Sequence, residues 1–469
     1  MKDARIRIAI AALALALVIA AVITVVNSSK TDEVLGVSYG DTIFDDGHAE
    51  EDPAKKATQN RINSIFEKIH QENTRVEGQA QHYVRIALLM PLTISRSKQS
   101  AIPLSQIEHA LQGAYTALKR VNSTGTYGSF QRFQVQLVLV NQGSRQNVDD
   151  WLIDEMLDES EPDHPLEAVI GLGSSVVNTE TVVAKLGDKG LAMVSAITSA
   201  DSLTGMKNFW SVSPSNIQYV QALASFVRGQ NLKAALPIAD ANDDPFTSSL
   251  AAAFREQLRG VIYVSPAEQK FNGGTIDQPA TPGVFDQVIN NVCGAVNDRT
   301  HPVDTLLYAG RVADFPAFIT DLSKRTCVGT KLTVLTAATG FASASGLAPL
   351  MSKGNIEVYY ASSSAAPGWE GKTPPPDYHD FLNDYRREGF TNDQDLGDGL
   401  AIAHHDALVT AVYAARNAVS KPVPKPQDLP TQLNNITFTP VRGASGPIKF
   451  EQGSGGRRVG MDIPIRRLY

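Results

Sequence analysis

The feature that most limits the fold is an alternation of short apolar runs with amphipathic stretches, repeated twice along the chain. From Tyr83 the sequence reads Val84-Arg85-Ile86-Ala87-Leu88-Leu89-Met90, a buried strand closed by Pro91. A helix is predicted over 104–121, with Ile107, Ala110, Leu111, Ala114, Leu118 and Val121 on one face. Strands over 133–140, 166–170 and 192–194 then alternate with helices over 147–157 and 178–186. A second round places helices over 217–227, 247–258, 285–296 and 315–324 between strands over 233–239, 260–264, 305–308 and 331–335. A strand over 356–361, two long helices over 377–388 and 399–419, and strand-like pieces at 448–450 and 460–465 complete the chain. Apolar strands alternating with helices mean parallel sheets covered on both faces. The expected class is α/β, with two doubly wound lobes. Ligands of such sheets bind beyond the carboxyl ends of the strands, so two facing lobes would form a cleft there.

Residues 8–26 are a run of apolar residues and Thr without a charge, close to the roughly 20 needed to cross a bilayer. Lys2, Arg5 and Arg7 precede it, and Asp32, Glu33, Asp41, Asp45 and Asp46 follow. That asymmetry predicts a short cytoplasmic N-terminus (1–7), one transmembrane helix (8–26) and an extracytoplasmic bulk at the cell membrane. The alternative is a cleaved signal peptide. Its apolar region would be shorter, and Thr24-Val25-Val26-Asn27-Ser28-Ser29 is a poor cleavage site. Residues 27–52 are polar and acidic, and read as a flexible spacer spanning about 25–30 Å. Pro53 opens a short amphipathic helix carrying Ile62, Ile65, Phe66 and Ile69, which could pair with another chain but for which packing on the globular body is the favoured role.

The net charge of −7, with no basic stretch beyond the N-terminus, argues against a nucleic-acid partner. Cys293 and Cys327 are the only cysteines. Outside the cytoplasm such a pair is expected to be a disulfide closing a loop of about 35 residues, worth roughly 3–4 kcal/mol. Two buried free thiols are the alternative.

Several loops at predicted strand ends carry polar groups. Gly171-Leu172-Gly173-Ser174-Ser175 ends a strand and opens a helix, which suits a carboxylate or phosphate. Val176 stands where a dinucleotide fingerprint needs its third glycine, so no nucleotide cofactor is expected. Ser174 could equally be only a helix cap. Ser195 to Ser199 also follows a strand. Asp240, Asp243 and Asp244 cluster after another, but without the spacing of a calcium loop, so no metal is expected. Arg311 follows a fourth strand and could hold an anion or be solvated. His404-His405-Asp406 lies inside an apolar helix, where packing is the favoured role. No constellation for enzyme chemistry is present.

The order of these elements resembles the type 1 periplasmic solute-binding proteins of the branched-chain amino acid receptor kind. Gly113-Ala114-Tyr115 looks like the family's opening helix, Gly171 to Ser175 like its "G..SS" ligand loop, and Ser195 to Ser199 like its "S-x-x-[AS]-[ST]" loop. Phe209 to Ser215 is similar to its interlobe crossover. His405-Asp406-Ala407 stands where the family has "Y-D-A", and Gly443 to Phe450 looks like its closing hairpin. The resemblance implies a hinged, non-enzymatic receptor for a small amino-acid-like or anionic ligand, with an ABC permease or another membrane protein as partner. It implies that Ser174, Ser175, Thr198 and Ser199 meet an α-carboxylate, that Phe246 packs on the ligand and that Arg311 lines the other wall. It assigns 83–212 and about 359–440 to the first lobe, and 213–358 and about 441–469 to the second, after a linker over 27–82. The loop Thr336-Ala337-Ala338-Thr339 lacks the carboxylate that amino acid binders tend to place for the ammonium group. A ligand-free fold serving as an envelope scaffold or sensor is the alternative.

Overall fold

The computed structural model describes residues 34–44, 52–95, 100–147, 149–276, 278–337, 346–364, 366, 373–418 and 423–468. The apolar run 8–26 and the positions Ala338 and Thr339 lie outside these. Among the described residues no helix is long and apolar enough to cross a membrane.

Each lobe is a doubly wound sheet. The first has strand order β1-β3-β2-β4-β5-β6, with β1 Gly36–Ser38, β2 Tyr83–Met90, β3 Gln134–Asn141, β4 Leu166–Gly171, β5 Ala192–Ser195 and β6 Phe209–Ser211. All pairings are parallel except that of β1 with β3. The second sheet runs β15-β12-β11-β10-β7-β8, and β9 also pairs with β7. Its strands are β7 Ala234–Asp240, β8 Tyr263–Val264, β9 Gln269–Phe271, β10 Thr305–Ala309, β11 Leu332–Ala337, β12 Ile356–Ala361 and β15 Ile465–Leu468. β15 is antiparallel to β12. The central strands are buried on both faces, as their largely apolar runs require.

Helices α1 Pro53–Gln79, α2 Leu104–Ser123 and α3 Asp150–Asp158 belong to the first lobe, as does α4 Val177–Asp188. Helices α5 Asn216–Arg228, α6 Pro245–Gln257, α7 Asp286–Val296, α8 Phe315–Leu322 and α9 Ala348–Lys353 belong to the second. The chain then returns, and α10 Pro376–Arg387, α11 Leu400–Asn417 and α12 Leu429–Asn435 complete the first core. Helices α2 and α11 touch backbone to backbone. A Cβ on Gly113 would lie 1.9 Å from the carbonyl oxygen of Ala401, so only glycine fits there.

Three sequence expectations are corrected. The predicted linker over 27–82 is largely part of the first lobe. β1 pairs with the edge of the sheet, and α1 is 27 residues long, well past the apolar stretch seen in the sequence. Beyond Ile69 its buried face carries Glu72 and Asn73 before Val76. Asn73 donates to Leu137 O (2.9 Å) and Tyr39 O and accepts from Leu137 N, so it acts as a piece of sheet backbone. Glu72 is gripped by Arg75, Lys119 and Asn122. The second correction concerns the C-terminal part. The hairpin β13 Val441–Gly443 and β14 Gly446–Ile448 packs into the first core, not the second, and β15 alone rejoins the second sheet. Third, the strand-like pieces at 448–450 and 460–465 are displaced. The hairpin forms earlier and β15 begins only at Ile465.

His405 and Asp406 anchor that hairpin. Asp406 is wholly buried and accepts from Ala444 N (2.7 Å), Ser445 N (3.0 Å), the Ser445 hydroxyl and His405 Nδ1. Arg458, also buried, ties Ser445, Gly446 and Pro447 back to Val212 on the crossover between lobes. The pair is structural. Cys293 and Cys327 form a disulfide between α7 and the segment after α8.

Candidate functional site

In each sheet the strand order reverses once: between β2 and β4 in the first lobe, and between β7 and β10 in the second. These are the points where a doubly wound sheet leaves a crevice at its carboxyl edge. The loops after all four strands converge on one cavity of about 610 Å³. Ile94 and Ser95 come from the loop after β2, and Ser174 and Val176 from the loop after β4. Asp240 ends β7 and Asn242, Asp243 and Asp244 follow it, and Arg311 and Val312 follow β10. The volume lies in the range of small-molecule sites.

The Gly-Ser-Ser loop is shaped by an unusual backbone. Gly171, Leu172 and Gly173 all have positive φ (89°, 65° and 61°). A leucine in that region is strained, and it is retained because its N–H donates to Leu89 O at 2.8 Å. Gln146, in the loop after β3, fastens the Gly-Ser-Ser loop. Its amide accepts from Ser174 N (2.7 Å) and donates to Ser174 O (3.0 Å). Sequence reasoning missed this residue; a lone glutamine after a strand carries no pattern.

Of the residues predicted to meet a ligand, Ser174, Phe246 and Arg311 line the cavity, and Ser175, Thr198 and Ser199 do not. Their hydroxyl loop is turned inward to hold backbone. Ser175 Oγ accepts from Ser199 N (3.0 Å) and Ala200 N (3.2 Å). Thr198 is fully buried and bonded to the Ser195 hydroxyl. Buried Arg457 donates to the carbonyls of Thr198 and Ala200 and to Thr204, so the last segment of the chain fixes this loop. Its burial, unrelieved by a full counter-charge, lowers its pKa to about 10.

Arg311 crosses the cleft. Its Nε donates to Asp244 at 2.9 Å, its Nη1 to Ser174 Oγ at 2.9 Å, and its Nη2 to Ser175 O and Asp244. Its plane lies over the Phe246 ring, 5.1 Å from the centroid. Asp244 also caps α6 through Thr247 N at 2.9 Å. The arginine is thus a bridge between lobes rather than a free anion receptor. On the second-lobe wall Asp240 accepts from Asn242 N and Gly273 N, and behind it Asp314 accepts from Gly274 N. Burial, and then the neighbouring Asp240, push the Asp314 carboxyl above its ordinary range. Lys55 at the start of α1 reaches the rim, a contact the sequence did not reveal. Among the described residues no group of three or more metal-ligating side chains is present.

No protein-family model and no curated protein matches the chain. Solved structures do. An ABC transporter substrate-binding protein from Desulfitobacterium hafniense in complex with Leu superposes with a TM-score of 0.59 at 16% identity, over 83% of this chain and 97% of that one. A putative branched-chain amino acid ABC transporter protein from Silicibacter pomeroyi gives 0.60 at 14% identity, over 83% and 93%. A solute binding protein of an ABC transporter from Rhodopseudomonas palustris BisB5, in complex with 3,4-dihydroxy benzoic acid, gives 0.58 at 14% identity, over 82% and 93%.

Proposed function

The described part of the chain has the fold of the type 1 periplasmic binding proteins, and from that premise we propose that it is a solute-binding receptor, held at the outer face of the membrane by residues 8–26, that captures a small polar ligand between its lobes and delivers it to an ABC permease. The observation that carries this reading is the cavity at the facing switch points, which remains open beside Arg311. Small carboxylates and amino acids bound by structural neighbours support the size class of ligand. The alternative of a ligand-free scaffold or sensor has the Arg311 bridge in its favour, because a protein side chain joins the two lobes there. A cavity of this volume weighs against it.

The tether is shorter than the sequence suggests. β1 is docked from Gly36, so only residues 27–33 separate the apolar run from Val34, a reach of at most roughly 28 Å. Gly36 pairs with Asn141 at the carboxyl end of β3, the cleft side of the lobe. The cleft is therefore held near the bilayer. Thermal shift with a panel of amino acids, organic acids and amines tests the reading. One or more compounds should raise the melting temperature, and Phe246→Ala should weaken the response. If no compound does so, the receptor function is refuted. Recovery of the intact chain in the membrane fraction tests the anchor.

A further inference from the structure

The cavity walls carry charge unequally, and this bears on which solute the proposed receptor takes; the inference rests on that reading. Asp240, Asp243 and Asp244 line the second-lobe wall, with Asp314 buried behind them. The described cationic side chains on the lining are Arg311 and Lys55. Arg311 is already committed: its charge is matched by Asp244, and Nε, Nη1 and Nη2 all donate within the protein. It also occupies Ser174 Oγ, the hydroxyl of the Gly-Ser-Ser loop on the cavity lining, and Ser175 O. Lys55 is exposed at the rim.

Asp240 is only 7% exposed. Its Oδ1 takes two backbone amides, and its Oδ2 has no hydrogen-bond partner among the described residues. The Oδ2 atoms of Asp240 and Asp314 each lie 2.6 Å from where a Cβ on Gly273 would stand, so two carboxylates crowd the same spot. The first-lobe wall offers the amino end of α4, about half a positive charge without a full cation; the amide of Val176 before it is tied to Ser174 O and Thr179 Oγ1. The rest of the lining is largely apolar, with Ile94, Leu104, Val177, Phe246 and Val312. An anionic ligand would meet no uncommitted cation inside the cavity. A cationic one would neutralise a buried carboxylate left without a counter-charge.

We infer that the cleft selects an organic amine with an apolar body, its ammonium set against Asp240 and Asp243, over amino acids and carboxylic acids. Isothermal titration calorimetry on the full chain tests this with matched sets: phenethylamine, phenylalanine and 3-phenylpropionate, and isoamylamine, leucine and 4-methylpentanoate. The amine of a set should bind at least about tenfold more tightly than its amino acid, a difference of about 1.4 kcal/mol, and the acid should give no heat. Asp240→Asn should weaken amine binding by at least about tenfold. Asp243→Asn, an exposed position that does not endanger folding, should weaken it severalfold. An amino acid or acid that equals its amine overturns the inference while leaving a solute receptor in place. So does amine binding indifferent to both substitutions. Silence across these sets and the wider panel overturns the receptor reading itself, and the inference with it.

Discussion

Replacing Glu167 by glutamine should stabilise the protein, with a pH dependence fixed by where the carboxyl sits. Arg85 pairs with Leu166 and Ile86 with Ala168, so Glu167 is the extra residue of a bulge in β4. It is fully buried, and neither side-chain oxygen has a hydrogen-bond partner. Burial, reinforced by Asp428, raises its pKa from 4.5 to about 8. Unfolded, it titrates near 4.5. Between those values folding must take up a proton, so stability falls as pH rises from 4.5 and levels off above 8. At pH 7 the gap is about 2.5 pH units, which at about 1.36 kcal/mol per unit is about 3 kcal/mol of lost stability. Glutamine is shaped like the neutral acid and carries no such loss. Unfolding of the two proteins at pH 4 and pH 7 should show a gain near zero at the first and about 3 kcal/mol at the second. An equal gain at both values, or a loss at pH 7, would refute a neutral buried carboxyl. The bulge lies at the amino end of β4, away from the cleft, so ligand binding should not change.

Three other outcomes follow from the packing. Arg311→Ala removes two charge-assisted hydrogen bonds between lobes, each worth about 1.5–3 kcal/mol; the ligand-free protein should open, which small-angle scattering would register as a larger radius of gyration. Asp406→Ala leaves three donors of the hairpin and His405 without their acceptor, and should cost about 3–5 kcal/mol, read as a lower melting temperature. Reduction of Cys293–Cys327 should cost the second lobe about 3–4 kcal/mol, and calorimetry should show one of two transitions moving while the first-lobe transition stays.

The sheet-and-helix framework was readable because burial on both faces leaves largely apolar strands, and amphipathic helices keep their period. Segments that earn their place by polar contacts were not. The second half of α1 is buried through Glu72 and Asn73, which look like surface residues in a sequence. β1 is three residues long and gains its order from pairing with β3. In the cleft, the residue types were legible and their allegiances were not. A serine that could bind a carboxylate and one that holds two backbone amides, as Ser175 does, are the same letter. Arg311 could be placed on the wall from its strand-end position. That its guanidinium reaches across to Ser174 depends on the second lobe facing the first, which is not a local property.

Arg311 also sets a condition on how the lobes close. In a receptor whose lobes meet only through the ligand, the empty protein opens and the ligand supplies the closing contacts. Here a protein side chain supplies one of them and stacks on Phe246 while doing so. A ligand can shift the equilibrium only by its differential affinity for the closed form. With part of the closure already provided, that shift is smaller, and the empty and loaded forms differ less in shape. The proposed permease would then distinguish them by what lies on the cleft rim as much as by lobe separation. The rim includes the start of α1, where Lys55 stands. The chain also enters the first lobe from the cleft side, at Val34 beside Asn141. If residues 8–26 anchor the chain as proposed, the tether and the cleft rim fall on the same side of the molecule, where the proposed permease would meet both.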